Sequence, residues 1–473
     1  MTITLIRIAS KQKVLVGKMI QFERKSLFRL TAPIFLFSVI SIGVTFVDTI
    51  LLAGYSENLA AAVSMANQIL GIAYDVSGLF SVGALILIAQ YLGRNQIEKA
   101  KNIVVVAMAS SCLLGLIIGG VLVLGAGQFA DWVNTPEEIR EDVIIYVYVI
   151  AVAIIFNGLI VSVTAALRGF GLTVEILIMG IIANVVYIFF EYTLIYGRFG
   201  FPELGVYGAA LSTLIVRVAS IGFLLWVLKR KLGIVFNATP IGFIKKVKQI
   251  TKISYPSVSE GMCYNLYQLA MVSFIAVLGT TEVLTRSYAL TITALPSLVA
   301  MVISQGNEVL VGYDKGSQDN ETARKRANKT AIITGIVNSG FAFLIYLNAE
   351  LLIGLFTKDA AIIAGVTSIL FYTIILTFFN TVNIVLLNAL KAVGDVNRPV
   401  LFNLGITFAI ALPLGYLAVT EFNLGVEGLW YVYLIEEAIK SIIMFTLWQS
   451  KKWHKYKVVE QEKPGPQQSK AEA

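Results

Sequence analysis

Charge is scarce in this sequence: Asp, Glu, Lys and Arg make up 14% of its 473 residues, where a soluble domain carries about 25%. So little charge cannot cover a water-exposed surface of this size. Histidine occurs once, at His454 beyond the last apolar run, and cysteine twice, at Cys112 and Cys263, each inside an apolar run. That inventory argues against a structural zinc, a haem, a disulfide framework and a histidine-based catalytic dyad. A glycine-rich phosphate loop is missing, so ATP-driven work by this chain alone is not supported. The alternating pattern of a membrane β-barrel is missing too.

What the chain has is 57% hydrophobic residues, gathered into runs of about twenty or more. About 20 helical residues cross a hydrocarbon core of roughly 30 Å, and in lipid the backbone must bond within its own segment. The fold class read from this is all-α integral membrane, with twelve transmembrane helices. They fall near 30–54, 58–90, 102–127, 142–166, 173–197, 206–228, 254–278, 284–312, 330–348, 360–388, 400–420 and 426–448. The second and eighth runs exceed one span and predict tilt or projection beyond the lipid.

The net charge of +8 does not point to nucleic acid, because the basic residues sit in alternate short loops. Arg94, Lys99 and Lys101, then Arg168, then the dense run from Lys229 to Lys252, then Lys315 to Lys329, then Lys391 and Arg398 all fall on one side; the other holds Arg140, Arg198 and Lys358. Basic loops mark the cytoplasmic side, so both termini are expected there. Residues 1–29 read as a basic cytoplasmic segment, because Arg7, Lys11, Lys13 and Lys18 interrupt any signal-peptide core. Residues 229–253 read as a cytoplasmic linker and 449–473 as a cytoplasmic tail.

The linker divides a repeat. Pro33 matches Pro256, 223 residues later, and Asn157 with Asn380, Arg168 with Lys391 and Gly171 with Gly394 keep that offset. A constant offset through equivalent spans argues duplication. An even number of spans per half makes the repeats parallel, in an N-lobe over 30–228 and a C-lobe over 254–448. Rocking one lobe against the other would open the cleft between them to either side in turn.

Several segments resemble the multidrug and toxic compound extrusion (MATE) transporter family. They are Pro33 followed by Val47-Asp48-Thr49; Ala89 to Arg94 after the second span; Ala166 to Gly171 after the fourth; Pro202 to Thr213 entering the sixth; and Leu390 to Asp395, which echoes the fourth-span motif. The resemblance spans roughly 28–450. It implies a secondary antiporter that exports organic, often cationic, compounds in exchange for Na+ or H+. It implies no other cofactor, and a lipid bilayer and a small organic substrate as partners. A monomer in the plasma membrane is expected. The alternative kept open is a flippase or exporter of a lipid-linked saccharide or a dedicated metabolite. A channel would need a ring of equivalent filter residues, and an enzyme a clustered nucleophile or metal site; neither pattern is found.

Asp48 is the leading candidate for coupling. A charge at a helix centre costs roughly 2.5–3.5 kcal/mol, so it needs a partner, a proton or a bound cation; its oxygens also suit a hard cation such as Na+. The resemblance places its partners on the fifth and sixth spans. There Glu191 stands where the family has aspartate, Tyr187 where it has asparagine, and Asn184 is the nearest asparagine; Thr213 matches a family threonine. Asp48, Asn184, Glu191 and Thr213 are therefore the expected ion site. Glu260, Asn265 and Gln268 share roughly one helical face and, with Asn157 and Asn380, are expected to line the substrate cavity. Asn380 replaces an aspartate of some relatives, which puts carboxylate coupling in the second lobe in doubt. Glu436 or Glu437 with Lys440 has the spacing of a local ion pair. Glu308 is expected in a solvated position, and Arg217 and Arg286 snorkelling or paired with acids. Arg286, early in the eighth span, is also a candidate for biasing the cleft against cations.

Overall fold

A computed structural model of the chain describes residues 24–234 and 242–459. Most of the expected N-terminal segment and the end of the tail lie outside the described residues. The described chain is all-helical. Ten helices are long and apolar enough to cross a membrane. Two more, α8 (Phe243–Ala276) and α15 (Gly425–Gln449), have the length but carry more polar residues.

The first half comprises α1 (Leu27–Tyr55), α2 (Glu57–Ser77), α3 (Leu79–Gly93), α4 (Ile97–Trp132), α5 (Glu137–Gly169), α6 (Thr173–Tyr196) and α7 (Val206–Leu232). The overlong second run is thus two helices broken at Gly78, whereas the eighth is one continuous helix, α9 (Thr280–Gly316). Then follow α10 (Asn320–Leu347), the short α11 (Ala349–Ile353), α12 (Ala360–Ala392), α13 (Asn397–Ile406), α14 (Leu412–Thr420) and α15. The segment read as a linker is helical at both ends, since α7 runs to Leu232 and α8 starts at Phe243. A π-turn at Thr407–Ala411 joins α13 to α14 just before Pro413, the sort of ladder disruption that proline promotes.

The repeat is visible in the backbone. Gly171 and Gly394, one behind α5 and the other behind α12, both take left-handed φ, +72° and +93°, which a side chain would resist. α1 pairs with α6, α4 with α5, and α5 with α7; in the second half α12 packs against α9, α10 and α15.

The halves join mainly at one end. At the end bearing Arg24 and the tail, one buried apolar cluster draws on both halves, from Leu30, Leu85 and Ile103 to Ile253, Leu310 and Val400. At the opposite end there are two separate clusters. One holds first-half residues such as Leu70 and Ile150, the other second-half residues such as Ile369 and Trp430. At the joined end, a Cβ on Gly93 would strike the Tyr313 carbonyl and one on Gly316 the Gln90 carbonyl, so α3 and α9 touch backbone to backbone. Gln90 Nε2 donates to Ala392 O at 2.7 Å, Tyr313 Oη to Gly169 O at 2.7 Å, and Arg168 Nη1 to Gln305 Oε1 at 2.5 Å. The bundle is therefore a V, fused at its termini-bearing end and split at the other.

Candidate functional site

In the first lobe the site is built by α1 and α6. Tyr187 and Glu191 lie four residues apart on α6, so both point the same way, and they face Asp48. The Tyr187 hydroxyl donates to Asp48 Oδ1 at 2.7 Å and lies 3.3 Å from Glu191 Oε1. The one hydroxyl thus lies within reach of both carboxyl groups. Glu191 is completely buried, its Oε2 has no partner, and Asp48 is half-buried. Among the described residues neither carboxylate pairs with a lysine or arginine.

The other two expected ion ligands make no hydrogen bond to this cluster. Asn184, one turn before Tyr187, keeps a buried amide nitrogen without a partner. The Thr213 hydroxyl turns back to Ala209 O at 3.4 Å, beside Tyr146. Tyr187 is the group that sequence reasoning passed over. Its place in the family's asparagine position, one turn from Glu191, was the available signal.

Asn157 is taken up by its protein neighbours. It is buried and donates to Ser77 Oγ at 2.7 Å while accepting from Arg217, so it bridges α2, α5 and α7. Arg217 does not snorkel: it stacks over the Tyr74 ring, 5.1 Å from its centroid.

The second lobe corrects more expectations. Glu260 is not a free cavity carboxylate, because Lys391 Nζ sits 2.7 Å from Oε2 and Asn403 Nδ2 donates to Oε1 at 3.2 Å. Asn265 donates across the cleft to Asp75 Oδ2 at 3.1 Å. Gln268 accepts from Arg286 Nη2 at 2.7 Å and donates to Tyr264 at 2.5 Å, so Arg286 bonds an amide rather than an acid. Gln268 and Asn380 share one cavity of about 130 Å³ that Tyr267, Trp430, Glu437 and Lys440 also line. Glu260, Asn265 and Gln268 separate because each finds a different helix to bond.

The pocket's floor is the expected ion pair. Lys440 Nζ is 2.6 Å from Glu436 and 3.6 Å from Glu437. Glu436 also accepts from Tyr267 at 2.6 Å and Thr407 at 2.7 Å, and Glu437 from Asn383 Nδ2 at 3.1 Å. Thr407 sits in the π-turn, which aims it at Glu436. Tyr267, Asn383 and Thr407 come from three helices with no shared motif, and nothing in the sequence marked them. Glu308 is another correction: it is buried, not solvated, because α9 continues about two turns past it, and its charged neighbours are Arg168 and Lys391.

Comparison with known proteins agrees with this architecture. The sequence model of the MatE family matches residues 33–193 and 256–417, so the two matched stretches open on Pro33 and Pro256, the first landmark pair of the repeat. A Bacillus subtilis protein described as the uncharacterized transporter YisQ is 29% identical over 430 residues, covering 90% of this chain and 94% of its own. The multidrug resistance protein NorM of Vibrio cholerae is 27% identical over 438 residues, covering 89% and 94%. A solved outward-facing multidrug resistance MATE transporter of the MOP superfamily superposes with a TM-score of 0.78 at 20% identity, covering 91% of this chain and 96% of its own.

Proposed function

We propose that this chain, which belongs to the multidrug and toxic compound extrusion family of membrane transporters, exports small organic compounds in exchange for a proton or Na+ taken up at Asp48. The observation that carries the reading is the Asp48–Tyr187–Glu191 cluster. Two carboxyl groups share one hydroxyl there, and among the described residues no basic side chain pairs with them. Like charges so close favour uptake of a proton by one of them, or of a hard cation between them.

The splayed lobes supply the other half of the mechanism. Twelve helices are read as spans, adding α8 and α15 to the ten apolar ones. The fused end bears the basic clusters Lys229 to Lys231, Arg324 to Lys329 and Lys451 to Lys457, which supports a cytoplasmic position for that end. The V then opens outward. Asp48, about two turns from the open end of α1, is reached from outside in this arrangement. An ion entering there stabilises one lobe arrangement over the other, and that differential affinity drives release of substrate. Substrates bearing a cation fit the first lobe's uncompensated acids.

The test is transport of a fluorescent organic cation by proteoliposomes, with Na+ and pH gradients imposed separately. Transport driven by one gradient and lost in Asp48→Asn supports the reading and names the ion. A folded wild type that answers neither gradient overturns it.

A further inference from the structure

At the fused end a groove opens sideways between the first turn of α1 and about the first four turns of α10. Its volume is about 420 Å³, and Leu27, Lys325, Arg326, Lys329, Thr330 and Thr334 line it. We propose that this groove binds the phosphate headgroup of an anionic phospholipid, which thereby bridges the two lobes.

The charge there is unbalanced. Lys329 has no acidic partner among the described residues. Lys325 is 75% exposed and reaches Glu321 only at 3.7 Å. Arg326 gives Nε to Asp314 at 2.7 Å, but Asp314 also serves Arg24 at 3.1 Å, and the outer guanidinium nitrogens of Arg326 stay free for an anion. Guanidinium and ammonium groups around a shared opening are the usual donors to a phosphate.

The hydroxyls point the same way. Thr285, Thr291 and Thr293 on α9 each return their hydroxyl to a carbonyl one turn back. Thr330 and Thr334 make no such bond, although both residues are buried. Their hydroxyls are left to whatever occupies the groove.

Depth selects a lipid over a free anion. The charged turns of α10 end at Lys329 and its apolar stretch starts at Ala331, so the basic cluster sits at headgroup level. From there Ile332, Ile333, Ile336 and Val337 continue as an exposed apolar strip. A soluble phosphate has no use for that strip, whereas a phospholipid fills the groove with its headgroup and the strip with an acyl chain. Leu27 belongs to the first lobe and the cations to the second, so an occupant touches both at the end where they are closed together.

The test is thermal unfolding of the purified full-length protein in a non-ionic detergent, titrated with short-chain phosphatidylglycerol, with phosphatidylcholine of the same chains, or with inorganic phosphate. Phosphatidylglycerol is expected to raise the melting temperature while the other two do not. In Lys325→Gln/Lys329→Gln the half-saturating phosphatidylglycerol should rise at least about tenfold, since each basic group near a headgroup contributes about 1 kcal/mol. An unchanged response in the double variant, an equal shift with phosphatidylcholine, or a shift with inorganic phosphate alone overturns the proposal. Should the double variant not fold, the single Lys329→Gln protein, altered only at an exposed side chain, is read by native mass spectrometry; retention of phosphatidylglycerol equal to wild type overturns it likewise.

Discussion

The two lobes are repeats of one plan, yet they treat their embedded acids differently. In the first, Asp48 and Glu191 meet through a tyrosine hydroxyl and, among the described residues, neither pairs with a lysine or arginine. In the second, Glu260 lies 2.7 Å from Lys391, and Glu436 and Glu437 lie 2.6 and 3.6 Å from Lys440. An ammonium fixed on the protein does permanently what an exchangeable proton or Na+ does transiently. In the function proposed above, the first lobe carries the exchange and the second holds its shape. The equivalent basic residues of the repeat diverge as well: Arg168 reaches across to Gln305 of the other lobe, whereas Lys391 stays within its own.

The sharpest way to break this contrast is to remove one charge from each lobe. Lys440→Met leaves two buried carboxylates without their counter-charge, and such losses typically cost 3–5 kcal/mol. It is expected to destabilise the protein by about that much, seen as a lowered unfolding midpoint. Asp48→Asn removes one of two crowded acids, so it is expected to leave the midpoint unchanged or raised. Its gradient-driven transport should fall at least about a hundredfold, the equivalent of roughly 3 kcal/mol of lost ion binding. If Asp48→Asn unfolds the protein, or Lys440→Met leaves both stability and transport intact, the division between lobes is wrong.

How much of this could be read beforehand depends on how local each feature is. The long apolar helices were legible because each satisfies its own backbone bonds, and the length of its apolar stretch reports that directly. Asp48 was legible because a carboxylate among Val, Phe, Ile and Leu is costly wherever the chain goes. Lys440 was legible as a partner of Glu436 because one helical turn joins them. Tyr187 was passed over because tyrosine in an apolar run is ordinary packing; only its hydroxyl's two acceptors distinguish it. Glu260 was misjudged because its partner lies 131 residues away in sequence, and no periodicity announces a contact of that range. The side to which the cleft opens was not legible, since two parallel lobes can be splayed at either end with the same helices.

Tyr187→Phe sharpens the comparison inside the first lobe. The hydroxyl is the one neutral donor shared by Asp48 and Glu191, and a hydrogen bond to a charged group is worth about 1.5–3 kcal/mol. Without it the two carboxyl groups still face each other, so coupling should survive with altered ion affinity. The half-saturating Na+ or H+ concentration for transport is expected to shift by about tenfold or more, while the unfolding midpoint moves little. A tyrosine that serves packing alone would produce no shift.

The smallest effect is expected where the second lobe's pairing is removed whole. Lys391→Gln alone strands Glu260 with only the Asn403 amide for support, and Glu260→Gln alone strands a mostly buried ammonium. Each single change should lower the unfolding midpoint. Glu260→Gln/Lys391→Gln replaces the ion pair with two amides that can bond one another, and swapping a buried pair for neutral groups is often near neutral. The double variant should therefore lie within about 1 kcal/mol of wild type, well above the sum of the singles, as coupled neighbours do. It should also retain gradient-driven transport, because a pair that holds shape can be exchanged for another that does so. Loss of transport in a double variant of normal stability would instead put Glu260 among the exchanging groups, and the two lobes would no longer differ in kind.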